Sequence, residues 1–140
     1  YRSLAELPYA QKTGIDFPAF RSMPPIERLA WRWAIINTVA MEALNNESRG
    51  RIIRYEDLCD DPVSLSGQLF GFAGLSWQEQ TESFINASTH SSTGERYYQV
   101  FRNPKAAANK WRQEMTADDI RRALRITDQT PAGRLFVEAI

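Results

Sequence analysis

Between residues 25 and 44 the chain runs PIERLAWRWAIINTVAMEAL, and Leu29, Trp33, Ile36, Ala40 and Ala43 recur at spacings of three and four. Those spacings keep side chains on one side of an α-helix. Pro24-Pro25 suit its start, because a proline in the first turn forfeits no helical hydrogen bond, and Asn45-Asn46 through Gly50 suit its stop. A helix from Ile26 to Leu44 is predicted. Trp31, Ile35 and Val39 broaden the apolar stripe so far that this helix is expected to be covered on more than one side.

Weaker patterns flank it. Residues 3–12 predict a short helix, Gly14 a turn, and DFPAF a second helical piece with Pro18 in its first turn. Downstream, Asp60-Asp61-Pro62 forms an acidic lead-in to an amphipathic helix carrying Val63, Leu65, Leu69, Phe70, Phe72 and Ala73 and stopping near Gly74. Trp77 opens another helix with Phe84 and Ile85. The Ser/Thr-rich stretch from Asn86 to Gly94 predicts a loop, and YYQVF (97–101) an extended segment. Helix returns from Lys105 through Trp111. Thr116 with Asp119 three residues on predicts a capped helix to about Thr127, and Thr130-Pro131 begins a last short one. Gly67, Gly71 and Gly74 fall within or at the end of a helix and do not follow a strand, so they make no phosphate loop.

RIIRY, residues 51–55, breaks the helical pattern and predicts a strand. Ile52 and Ile53 are adjacent, so they point to opposite faces, the pattern of a strand covered on both sides in a parallel sheet. A strand must pair its backbone groups, at a cost of roughly 1 to 3 kcal/mol for each group buried without a partner. YYQVF is the one candidate partner in the chain, and two strands alone are marginal. The expectation is that further strands lie in polypeptide upstream of Tyr1, where the sequence opens without an initiator Met.

With 140 residues the chain has the length of one domain or part of one. Seventeen Lys and Arg balance 17 Asp and Glu without basic runs, which argues against a nucleic-acid partner. The single cysteine, Cys59, excludes an internal disulfide and a cysteine zinc site and favours a reducing compartment, the cytoplasm. Arg28, Arg32, Asn37 and Glu42 interrupt the longest apolar stretch, so no membrane span is expected. No metal is expected either.

The run RIIRYEDLCDDP, a helix ending FGFAGL, and then KWR followed by MTADDI resemble, in order and spacing, the C-terminal portion of the sulfotransferases that use 3′-phosphoadenosine 5′-phosphosulfate (PAPS). The upstream helix with its RWAxxN takes part in the resemblance. It implies a chain that is mainly α with one or two short strands and forms the C-terminal part of an α/β, P-loop-like fold with a central parallel sheet. Residues 1–140 would then belong to one domain whose N-terminal, phosphosulfate-binding half is its missing partner. The Tyr of the Tyr-Glu-Asp motif contacts the adenine of the donor in such enzymes, which assigns that role to Tyr55. An Arg-Lys-Gly run before a Trp holds the 3′-phosphate, and the nearest match is Arg102-Asn103-Pro104-Lys105 before Trp111, which assigns phosphate contacts to Arg102 and Lys105. The resemblance assigns no catalytic residue here. The general base and the phosphosulfate loop belong upstream, so this chain alone is expected to be inactive.

Each assignment has a plainer counterpart. Tyr55 also fits a half-buried strand residue, and Arg102 and Lys105 fit solvated loop charges. Glu56 and Asp57 suit a cap on the following turn or pairing with Arg51 or Arg54. His90 suits a loop surface, the four tryptophans core packing, and Cys59 a small buried hydrophobe. A rival to the enzyme reading is a stand-alone helical interaction module whose strand pairs across a symmetric interface, as a homodimer. The acceptor is not legible in the sequence.

Overall fold

The structure, a computed structural model, describes residues 2–89 and 103–137, with the backbone alone at residues 2, 136 and 137. The expectations for His90, for 91–94, for YYQVF and for Arg102 lie outside the described residues. All regular secondary structure among those described is helical: α1 (Arg2–Ala5), α2 (Pro8–Thr13), α3 (Phe17–Ser22), α4 (Pro25–Leu44), α5 (Tyr55–Asp60), α6 (Pro62–Phe72), α7 (Glu79–Thr89), α8 (Pro104–Asn109), α9 (Trp111–Glu114), α10 (Ala117–Thr127) and α11 (Pro131–Val137). None of them is long and apolar enough to cross a membrane. The chain divides into two compact units, residues 1–52 with 115–140, and residues 53–114.

In the first unit α4 is the hub, packed by α1, α2, α10 and α11. It spans 20 residues, roughly 30 Å at 1.5 Å per residue. Its inward side is Ala30, Ala34, Ile35 and Thr38, which includes Ile35 of the broadened stripe but none of Leu29, Trp33, Ile36, Ala40 and Ala43. Leu29 and Ile36 are 54% and 44% exposed. At 100° per residue the predicted stripe and the buried one lie about half a turn apart, on opposite sides of the helix. Apolar residues occur nearly all round α4, so periodicity alone does not choose the buried side. The helices packed on α4 choose it, and Ala30 and Ala34 let their backbones approach there.

Local chemistry sets the ends of these helices. The Asp16 carboxylate accepts from the Ala19 N–H at 2.8 Å and starts α3. Gly14, at φ 70°, takes the left-handed turn that stops α2. The predicted capping pair starts α10: Thr116 Oγ1 accepts from the Asp119 N–H at 3.1 Å and donates to Asp119 Oδ2 at 2.9 Å. Thr130, itself buried, caps α11 by accepting from the Gly133 N–H at 3.1 Å. Leu4, Ala10, Phe20 and Ile35 form the core, with Leu7, Tyr9 and Trp31 against it. Phe20 is fully buried, which contributes about 2 to 3 kcal/mol. Glu27, whose side chain is 17% exposed, joins α4 to α10 by accepting from Arg122 at 3.1 Å with Arg125 at 3.7 Å.

In the second unit α6 packs between α5 and α7, and α8 packs on α5. Asp61 caps α6 through the Ser64 N–H at 3.1 Å, as its acidic lead-in predicts. At the other end Leu75 N–H donates to Phe70 O and Gly74 N–H to Gly71 O, with Gly74 at φ 68°, a Schellman stop. Trp77 meets the edge of Phe70 at 5.2 Å and 88°. Cys59 is the only buried hydrophobic side chain among the described residues of this unit, while Phe72, Leu75 and Phe84 stay exposed.

Two expectations are corrected here. Residues 51–54 form no strand and Tyr55 begins a helix, so the described residues contain none of the one or two short strands expected. Arg54 keeps an extended backbone at φ −88°, ψ 137°, but no strand among the described residues offers it a ladder, and Ile52 is 44% exposed rather than sandwiched. The helix wins from Tyr55 onward because Glu56 and Asp57 place two carboxylates in its first turn, against the positive end of the helix dipole. Residues 86–89, expected to be loop, continue α7, and the Ser88 and Thr89 hydroxyls bond back to the Ile85 carbonyl.

Candidate functional site

The residues singled out in the sequence converge on α5 and α8. Tyr55 is the first residue of α5, directly after residues 51–54, of which Arg54 has an extended backbone, and it is 52% exposed. Lys105 lies in the first turn of α8, where the Asn103 side chain caps the helix by accepting from the Ala106 N–H at 3.0 Å. α8 packs on α5, and Lys105 Nζ reaches Asp60 Oδ1 at 3.3 Å. Tyr55 and Asp60 are five residues apart, about 7.5 Å along the axis. The structure thus brings Tyr55 and Lys105 into one unit on packed helices, at opposite ends of α5. Arg102 lies outside the described residues.

The charges around Tyr55 are mixed. Arg54 Nη1 stands 3.7 Å from Asp57 Oδ1, one of the pairings expected from the sequence. Glu56 Oε2 is buried without a hydrogen-bond partner among the described residues. This end of α5 therefore presents a half-exposed phenol ring with Arg54, Glu56 and Asp57 as its neighbours in sequence. Lys105 places an ammonium group in the first turn of α8. Its ion pair with Asp60 leaves both side chains more than half exposed, so exchanging that partner costs little.

The remaining candidates take their plainer roles. Cys59 is 3% exposed, a small buried hydrophobe. Trp31 packs against the core of the first unit, Trp77 against Phe70, and the Trp111 ring lies under the Arg112 guanidinium at 4.5 Å. Gly67 and Gly71 sit inside α6. No group of three His, Cys, Asp or Glu side chains among the described residues is placed to hold a metal. Sequence reasoning missed α5 as a helix and Asp60 as the partner of Lys105. The acidic pair after Tyr55 was the available signal for the first, and nothing local marks the second.

Comparison with known proteins gives an independent line. Over 80 residues, 54% of the chain, it is 31% identical to carbohydrate sulfotransferase 5 of Mus musculus. It is 35% identical over 72 residues to carbohydrate sulfotransferase 2 of Homo sapiens, and 33% identical over 78 residues to carbohydrate sulfotransferase 6 of Homo sapiens. These matches cover 20%, 14% and 20% of the respective relatives, so the chain spans about a fifth or less of their length. No family model and no solved structure matches. The similarity supports a relationship to the sulfotransferases.

Proposed function

We propose that this chain is the C-terminal part of a PAPS-dependent sulfotransferase, moving a sulfuryl group from PAPS to a hydroxyl or amine of an acceptor. Identity of 31 to 35% to carbohydrate sulfotransferases over about half the chain carries the reading, and it makes a carbohydrate hydroxyl the acceptor to try first. In that reaction the acceptor oxygen forms a bond to sulfur, the bond from sulfur to the 5′-phosphate breaks, and the acceptor proton passes to a base, leaving adenosine 3′,5′-bisphosphate. Tyr55 would lie against the adenine, and Lys105 with Arg102 would neutralise the 3′-phosphate. The base and the phosphosulfate cradle would come from the N-terminal half of the domain, so this stretch alone would bind nucleotide weakly and turn nothing over.

Two physical features support an additional layer of polypeptide, in keeping with a parallel α/β sheet. The outward stripe of α4 leaves Leu29 and Ile36 exposed, about 10 Å apart along the helix. Ile52, in the extended stretch that would join the sheet, is 44% exposed as well. The same exposed stripe equally fits a homodimeric interaction module. Sedimentation at micromolar concentration distinguishes the two, a stable dimer favouring the module.

The upstream coding sequence offers a first test. A strand followed by a turn rich in Lys, Gly and Thr is expected there, and a natural start codon directly upstream of Tyr1 in its place would end the enzyme reading. Calorimetry with adenosine 3′,5′-bisphosphate on the full open reading frame is the second. Tyr55→Ala and Lys105→Ala should each weaken binding about tenfold, as expected for one lost stacking or charged contact. Asp60→Asn, which releases Lys105, should leave affinity equal or tighter. Wild-type affinity in both alanine variants would remove the site.

A further inference from the structure

Lys105 is placed by a helix too short to hold itself. α8 has six residues and buries none of them, and an isolated helix below about 12 to 15 residues is marginal in water. Side-chain bonds at both of its ends supply what its length does not. At the start, Asn103 Oδ1 accepts from the Ala106 N–H at 3.0 Å, the Asn103 carbonyl accepts from the Ala107 N–H at 3.2 Å, and Pro104 in the first turn has a ring that fixes its backbone near the helical angle. At the end, Asn109 Nδ2 donates back to the Lys105 carbonyl at 2.9 Å. Asn109 is itself held, because Arg112 Nε donates to its Oδ1 at 3.2 Å while the Arg112 guanidinium lies 4.5 Å from the centre of the Trp111 ring. The KWR run of the sequence, residues 110–112, therefore reaches Lys105 through one asparagine. Lys110 of that run is paired with Glu114 at 3.0 Å.

We infer that Asn103, Asn109 and Arg112 are positioning residues for the 3′-phosphate: they fix the root of the Lys105 side chain, and Lys105 makes the contact. The inference rests on the nucleotide reading above and adds to it residues that touch no ligand. A lysine loses rotamer freedom when it takes a partner, and a frayed first turn adds the backbone freedom of its root to that loss. Affinity then falls in proportion to the fraction of molecules in which the turn is formed. The contact belongs to the ammonium and not to the end of the helix.

Calorimetry on the full open reading frame tests it, with adenosine 3′,5′-bisphosphate as the probe and adenosine 5′-monophosphate, which lacks the 3′-phosphate, as the control. Asn103→Ala and Asn109→Ala, both at exposed positions, should each weaken the bisphosphate about fivefold, the worth of one hydrogen bond, and leave the monophosphate unchanged. Asn103→Ser, which keeps a capping oxygen, should restore the affinity. Arg112→Lys, which keeps the charge and loses the Nε–H, should weaken the bisphosphate in the same direction as Asn109→Ala. In a Lys105→Ala background none of these changes should weaken it further. A Lys105→Ala protein of wild-type affinity overturns the inference together with the assignment of Lys105. A loss in Lys105→Ala beside wild-type affinity in Asn103→Ala and Asn109→Ala, or equal losses for the two nucleotides, overturns the positioning role alone.

Discussion

Gly133 is the position where a single methyl group should do most damage. It is buried at the third residue of α11, and a Cβ built there would stand 1.9 Å from the Thr127 carbonyl oxygen, 2.4 Å from its carbon and 3.1 Å from Thr130 Oγ1. The first two are backbone atoms and cannot swing aside. To restore ordinary contact, α11 must move by more than 1 Å relative to the end of α10. That movement strains the cap that Thr130 Oγ1 makes to the Gly133 N–H and the 2.7 Å bond the same hydroxyl donates to Thr127 O. Overpacking of this kind costs about 1 to 3 kcal/mol, each weakened hydrogen bond adds roughly 1, and the better helix propensity of alanine returns about 1. Gly133→Ala should therefore lose about 3 kcal/mol, read as a lower urea midpoint at unchanged slope. Hydrogen exchange should locate the loss in α4, α10 and α11. Gly71→Ala in α6 is the contrast, since nothing lies within 4 Å of its Cβ, and it should gain about 0.5 to 1 kcal/mol. A Gly133→Ala protein as stable as wild type would refute the close approach of α11 to α10.

Thr116→Ala removes both halves of the α10 cap and should cost about 1 kcal/mol by urea denaturation, with Thr116→Ser close to wild type. The hydrogen bond from Arg122, and then its charge, hold the Asp118 carboxyl below its ordinary value. A depressed acid stabilises the fold above the unfolded carboxylate value, and the contribution disappears as pH falls through the folded one. Asp118→Asn should thus lower the thermal midpoint at pH 6, converge with wild type once the pH has fallen through the depressed folded value, and lose part of its effect in 0.5 M salt. Arg122→Gln, which unties Glu27 and Asp118 together, should lower the same midpoint further than Asp118→Asn does.

What was legible in the sequence was local. Pro25, Asp16, Asp61 and Thr116 set helix starts within a residue or two, and Gly14 and Gly74 set stops, because each acts through its own backbone or its nearest neighbours. What was not legible depends on partners far along the chain. The buried side of α4 is chosen by α2, α10 and α11, and no local rule says that Ala30 and Ala34 will face them while Leu29 and Ile36 face out. Tyr55 and Lys105, 50 residues apart in sequence, share one unit only because α8 packs on α5, and they lie at opposite ends of α5.

The RIIRY segment shows the same division most clearly. Adjacent β-branched Ile52 and Ile53 favour an extended chain, and Arg54 is extended. Extension becomes a strand only when a neighbour completes the ladder, so strand formation belongs to the pair and not to the pentapeptide. Among the described residues the pair is missing, and the acidic turn after Tyr55 starts a helix instead. In the proposed full domain the same extended stretch would gain its neighbours without any change at Tyr55. The ring would remain at the junction where the extended backbone ends and α5 begins, which is where a ligand at the carboxyl edge of a parallel sheet would meet it. Hydrogen exchange at Ile52 and Ile53 separates the two states. Their amides should exchange freely in residues 1–140 alone and become protected in the longer protein, and equal exchange in both would remove these residues from the sheet.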